Sequence, residues 1–232
     1  MKKRILFALL LPCLFVTKLV TAQLNAVNEM KLIRDYYTGT ELKHLTGQML
    51  LINKQSKKQL DKVEFEYWIK DKQVYSKMNY IEILNNSSIY VMINHRNKSI
   101  YARPLDQMES KPAQVIFDAG QLNKLLAAKG TQATLSVTGS VKKLTISGLN
   151  VSRFSNIEIS YDADYRIRSI NATMNDEDEI YGEPMELQIN YSKTEKTISS
   201  TLPGVLSVSR YLEIKGNGQF EFAKNYQGYQ KL

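Results

Sequence analysis

Between Lys62 and Lys70 apolar and polar residues change places at almost every step: Val63, Phe65, Tyr67 and Ile69 alternate with Lys62, Glu64, Glu66, Trp68 and Lys70. A period of two places one set on each face of a pleated strand, so this segment reads as a strand with one face on a core and the other toward water. The same punctuation continues downstream. Asp71-Lys72 reads as a tight turn into a strand over Val74–Leu84, and Asn85-Asn86-Ser87-Ser88 makes the next turn. Ile89–Ile93 then pairs back, and His95-Arg96-Asn97-Lys98 leads into Ser99–Arg103. Short runs joined by turn residues form an antiparallel meander.

Two stretches break the period. Leu24, Val27, Met30, Ile33 and Tyr37 recur at helical spacing with Gly39 as a stop, which predicts a helix over 24–38. After Pro104, Asp118 is placed to cap a second helix over 118–129 that carries Leu122, Leu125 and Leu126 and ends at Gly130. Strands then resume at Thr134–Thr138, Val141–Ser147, Ile157–Tyr161, Tyr165–Met174, Met185–Tyr191, Val208–Ile214 and Phe220–Ala223. No repeat and no Pro/Gly/Ser-rich linker divides the chain, which predicts one domain over 23–232. A single sheet of about eleven strands curls or closes. The expected fold is therefore mainly β (α+β): one curved antiparallel sheet forming an incomplete β-barrel, with the N-terminal helix and the inserted helix covering its concave face.

The first residues read as an address. Lys2, Lys3 and Arg4 precede an apolar run from Ile5 to Val16, and Val20-Thr21-Ala22 supplies small residues for cleavage, so residues 1–22 read as a signal peptide. The expected location is the periplasm, with secretion as the alternative, and no stable membrane span is expected after cleavage. Removal of Lys2, Lys3, Arg4 and Lys18 lowers the net charge from +8 to +4 over the remaining 210 residues. The remaining cations are scattered, whereas phosphate-backbone binding needs a patch that displaces several counterions together, so nucleic acid is not an expected partner. Cys13 leaves with the leader, which excludes disulfides, thiolate zinc sites and cysteine nucleophiles from the remainder.

Candidate catalytic groups are few. His44 and His95 are the only histidines; both read as surface residues, and no Gly-x-Ser-x-Gly turn accompanies them. Asp176-Glu177-Asp178-Glu179 lacks the spaced Asp-x-Asp-x-Asp-Gly arrangement of a calcium loop and reads as a solvated hairpin loop. Neither an enzymatic activity, a metal nor a cofactor is expected. All 14 tyrosines follow the leader, and many fall in strands, Tyr67, Tyr90, Tyr101, Tyr161 and Tyr191 among them. Tyrosine suits cavity walls and interfaces, and it also has plain strand propensity.

The order of elements, with the run VEFEYWIKDKQVYSKMNYIEILNNSSIYVMINHRNKSIYARP over Val63–Pro104, resembles the outer-membrane lipoprotein carrier family (LolA/LolB-like), in particular its divergent Bacteroidetes-type periplasmic members. Asn85-Asn86-Ser87-Ser88 before Tyr90 stands where carriers often have a Gly-containing turn before a Trp-bearing strand, and the carriers' functional arginine has no counterpart here. The resemblance implies a half-barrel that shields acyl chains or a lipidated protein. The alternative is an envelope docking module that uses the same fold to hold a protein partner.

Strand parity names the expected site. Odd positions are apolar in Val63–Ile69, in Ile157, Ile159 and Tyr161, and in Met185, Leu187, Ile189 and Tyr191. The expected cavity is lined by Phe65, Tyr67, Ile159, Tyr161, Leu187 and Ile189, with Tyr90 and Met92 from a neighbouring strand. Leu122, Leu125 and Leu126 come from the helix that would act as a lid.

Overall fold

A computed structural model describes residues 25–71, 73–108, 130–149, 154–174, 184–197, 203–215 and 220–232. The expected leader, the helix over 118–129 with Leu122, Leu125 and Leu126, and the acidic run 176–179 lie outside the described residues.

The N-terminal pattern forms helix α1 over residues 25–38. Ala26, Met30, Ile33 and Tyr37 are buried, and their spacing of four, three and four residues makes one apolar stripe. Just beyond the helix, Lys43 is wholly buried, and its Nζ donates to the carbonyls of Gly39 (2.8 Å) and Glu41 (3.1 Å). Burial lowers the pKa of this amine, and the two carbonyls are its compensation.

Fourteen strands follow among the described residues: β1 (Leu42–Asn53), β2 (Gln59–Lys70), β3 (Gln73–Met78), β4 (Ile81–Asn85), β5 (Ile89–Asn94), β6 (Ser99–Pro104), β7 (Gln132–Thr138), β8 (Val141–Ser147), β9 (Phe154–Asp162), β10 (Ile167–Met174), β11 (Met185–Thr197), β12 (Leu212–Ile214), β13 (Phe220–Phe222) and β14 (Gln230–Lys231). Twelve stand in one hydrogen-bonded order, β14-β6-β5-β4-β3-β2-β1-β11-β10-β9-β8-β7, and β12 and β13 form a separate pair. The order has two edges and does not close into a barrel.

Three expectations need correction. The sheet is mixed and not wholly antiparallel, because β14 runs parallel to β6. The strand expected over Val74–Leu84 is two strands, broken at Asn79, which adopts φ +50° and accepts the Glu64 backbone N–H on its Oδ1 (3.3 Å). A left-handed residue ends an extended run, and asparagine tolerates that conformation better than most side chains do. The strand expected over Val208–Ile214 opens instead as a 3₁₀ turn, Val208–Arg210, leaving only Leu212–Ile214 extended.

The chain divides into two compact units, interleaved in sequence. Described residues of the first fall within Met1–Tyr36, Leu51–Leu60 and Phe117–Gln188; those of the second fall within Tyr37–Leu50, Asp61–Ile116 and Ile189–Leu232. In the first unit the ladders of β7 to β10 set Leu144 opposite Ile159 and Ile159 opposite Ile170, all buried. Helix α1 is tied to this face by Glu29, which accepts from Tyr161 Oη (2.7 Å) and from Lys142 Nζ (3.1 and 3.2 Å). Burial, and then the hydrogen bond to Glu29, raise the Tyr161 pKa far above the ordinary tyrosine value.

In the second unit, one face of β3 to β6 is covered by the chain from Pro203 onward. Leu206, Tyr211, Leu212 and Tyr226 pack against Tyr75, Leu84, Val91, Ile93 and Ile100. The cover is made of 3₁₀ turns and the short β12–β13 pair, with Tyr211 Oη donating to the Val205 carbonyl (2.9 Å). The N–H groups of Gln230 and Leu232 donate to the carbonyls of Lys98 (2.8 Å) and Ile100 (3.0 Å). Buried Glu82 has His95 Nε2 at 3.1 Å, Lys77 Nζ at 3.8 Å and an Arg210 nitrogen at 4.0 Å, an arrangement in keeping with the cost of burying an unpaired carboxylate. Among the described residues, no helix is long and apolar enough to cross a membrane.

Candidate functional site

Partners in an antiparallel ladder share a face, so the register of the second unit can be followed from strand to strand. Tyr67 stands opposite Ser76, Ser76 opposite Ile83, Ile83 opposite Met92, and Met92 opposite Tyr101. A parallel row runs from Phe65 through Met78 to Ile81. Both rows lie on the face opposite the one covered by the C-terminal chain, since Tyr75, Leu84 and Val91 hold the alternate positions.

Burial falls along these rows. Phe65, Tyr67 and Ser76 are buried, whereas Met78, Ile81, Ile83, Met92 and Tyr101 are half-buried, and Arg103 beyond Tyr90 is exposed. The result is an apolar face sealed at β2 and half-open toward β6. Its closed end is built on Gly47. A Cβ at that position would stand 2.5 Å from the Phe65 ring and would also meet the Asn190 carbonyl, so only glycine lets the ring lie there. Phe65 then packs against Tyr67 (5.3 Å between centroids) and edge-on to Tyr191 (5.4 Å). Burial raises the pKa of the Tyr67 and Tyr191 hydroxyls, and Tyr67 Oη finds the Met78 sulfur at 3.7 Å. At the open end Tyr90 meets Tyr101 edge-on (6.1 Å), and the Arg103 guanidinium stands 5.6 Å from the Tyr101 ring centroid.

The expected residues are distributed as follows. Phe65, Tyr67, Tyr90 and Met92 share this one face. Leu187 and Ile189 are half-buried on β11. Ile159 and Tyr161 are fully buried in the first unit, with the Tyr161 hydroxyl held by α1. Met78, Ile81, Ile83 and Tyr101 belong to the face and were not in the expected set. The break at Asn79 hid Ile81 and Ile83, because reading Val74–Leu84 as one strand sends both to the wrong side.

The histidines also need correction: neither is a plain surface residue. His44 stacks on Trp68 at 3.8 Å, and its Nε2 lies 2.9 Å from Glu66 Oε1, which also accepts from Trp68 Nε1 at 2.9 Å. His95 Nδ1 lies 2.8 Å from Tyr229 Oη. Among the described residues, no group of three or more His, Cys, Asp or Glu side chains could hold a metal ion.

No family model matches the chain, and no curated protein matches it. Solved structures similar to it include an uncharacterized conserved protein from Thermus thermophilus, at 9% identity and a TM-score of 0.44 over 78% of this chain and 95% of that one. LprF from Mycobacterium bovis is similar at 10% identity and a TM-score of 0.32, over 78% of this chain and 97% of that one. A LolA superfamily protein from Nitrosomonas europaea is similar at 10% identity and a TM-score of 0.32, over 77% of this chain and 94% of that one.

Proposed function

We propose that this protein is a non-enzymatic periplasmic carrier of acyl chains or of a lipidated protein, which binds on the half-open face of β2 to β6. The observation that carries the reading is the fall in burial along Tyr67, Ser76, Ile83, Met92 and Tyr101. Apolar side chains left half-covered across several strands are surface that a ligand can finish burying, and each methylene taken from water is worth about 0.8 kcal/mol. Methionines suit a disordered chain because the thioether adapts its shape, and the Tyr90, Tyr101 and Arg103 end suits the polar end of such a ligand. Because the face is only half-open, the gain stays modest, and the cargo can leave.

Uptake of a fluorescent fatty acyl probe by the purified protein tests the reading. Saturable uptake, weakened by Ile83→Ser and by Met92→Ser, is expected. A wild-type protein that folds and takes up no probe overturns the carrier and leaves the face to a protein partner.

A further inference from the structure

Two of the strands that carry the apolar face, β2 and β3, join β1 and β11 around a second pocket. It is open, has a volume of about 730 Å³, and is lined by Thr46, Gln48, Glu64, Glu66, Lys77, Asn79, Asn190 and Ser192 together with Gly47, Phe65 and Tyr191. Phe65 is the only residue of the expected cavity that touches it. Parity assigns the side: the Phe65 ring lies over Gly47, so Thr46, Gln48, Glu64 and Glu66, which alternate with those two, point the opposite way. Lys77 is the ladder partner of Glu66, and Thr46 Oγ1 is 2.9 Å from Ser192 Oγ, which places both partners on that same side.

Within the pocket Glu66 is fixed in advance. Its Oε1 meets both Trp68 Nε1 and His44 Nε2 at 2.9 Å, and Oε2 has no hydrogen-bond partner among the described residues. The side-chain amides of Gln48 and Asn190 are likewise without partners among the described residues. The charged lining is Glu64, with Lys62 at 3.0 Å, Glu66, with His44 beside it, and Lys77, which also lies 3.8 Å from Glu82. Two carboxylates against one ammonium give such a lining nothing with which to select a phosphate. What it offers is hydrogen-bonding capacity of both kinds, from a carboxylate, two open amides, an ammonium and hydroxyls. The rings of Phe65 and Tyr191 add an apolar wall on which the face of a sugar ring can lie. The volume lies within the range of small-molecule sites.

We propose that this pocket binds a neutral polyhydroxylated ligand, a saccharide unit, with Glu66 accepting from its hydroxyls and Gln48, Asn190 and Lys77 completing the contacts. The site meets the acyl face only at its closed end, Gly47, Phe65 and Tyr191, and shares none of the half-buried residues Ile83, Met92 and Tyr101.

The chain carries a single tryptophan, and Trp68 donates to the very carboxylate that would engage the ligand, so its emission is the reporter. The purified protein is titrated with maltose, cellobiose and diacetylchitobiose, and separately with inorganic phosphate and choline. A saturable change in Trp68 emission with at least one disaccharide is expected, weakened about tenfold or more by Glu66→Gln and by Asn190→Ala, with no response to phosphate or choline. The Asn190→Ala arm stands if Glu66→Gln does not fold. The absence of a saturable response to all three sugars, a response that survives both substitutions, or one that phosphate or choline reproduces overturns the proposal. Ile83→Ser leaves the sugar response unchanged, which separates failure here from failure of the acyl reading.

Discussion

The two units seal the same kind of alternating strand in different ways. In the first, α1 is tied through Glu29 to Lys142 of β8 and Tyr161 of β9, and Ile159 and Tyr161 have no exposed surface. In the second, turns and a short hairpin cover one face of β3 to β6, while the other face keeps Ile83, Met92 and Tyr101 half-buried. Alternation guarantees that a strand has an apolar side, but it does not say what will cover that side. The cover decides whether the apolar residues become core or binding surface.

Alkali should divide the two units most sharply. Burial raises the pKa of Tyr67, Tyr75, Tyr90, Tyr191, Tyr211 and Tyr226 in the second unit, and of Tyr161 in the first. A raised folded-state pKa means that the stabilisation is complete below the unfolded value of about 10 and drains away as pH climbs from there, by about 1.4 kcal/mol per pH unit for each tyrosine. The phenolate form of these seven rings, followed ring by ring by NMR, should therefore appear only together with loss of the native Trp68 emission. Phenolate at Tyr75 or Tyr211 while Trp68 stays native would mean that the second unit is open to hydroxide and not sealed by its C-terminal cover.

Next in size is a matched pair of truncations. Ile159→Ala should cost about 4 kcal/mol in urea unfolding, and Ile83→Ala about 1 kcal/mol, because a half-open side chain leaves little cavity behind. Equal costs would erase the distinction between core and surface. Gly47→Ala should cost about 2 kcal/mol through overpacking against Phe65. In the Phe65→Leu background that cost should shrink, though not vanish, because the Asn190 carbonyl remains in the way. Glu29→Gln should be as mild as Ile83→Ala, at about 1 kcal/mol, since the amide still accepts from Tyr161 Oη while the ion pair with Lys142 is lost. Hydrogen exchange in α1 should rise in that variant, and unchanged exchange would mean that Glu29 does not hold the helix.

Much of this was legible where one periodicity ran undisturbed. Phe65, Tyr67 and Ile69 face one way as alternation requires, Val141–Ser147 is a strand end to end, and α1 buries Met30, Ile33 and Tyr37 as its spacing predicts. Legibility failed where a single backbone conformation resets the count. Asn79 at φ +50° reverses the parity of β4 after it, and nothing about Asn79-Tyr80 announces this as a glycine would. The C-terminal cover failed for another reason. Leu206, Tyr211 and Tyr226 are buried from turns, which have no period, so only the surface they land on reveals their role. The second pocket was hidden by its composition. Glu66, Gln48 and Asn190 look like ordinary solvated positions until the ladder places them side by side.

The closing contacts of both units join residues far apart along the chain. Glu29 meets Tyr161 across 132 positions, and His95 meets Tyr229 across 134. Closing such long loops is slow and comes before the contacts that reward it. A chain made from its N-terminus has β2 to β6 complete while their partners are still to arrive. During that interval the apolar rows stand bare on both sides, exposed to aggregation until the C-terminal cover is made. Neither unit can be released as a fragment by cutting the chain once, because each borrows its last piece from beyond the other.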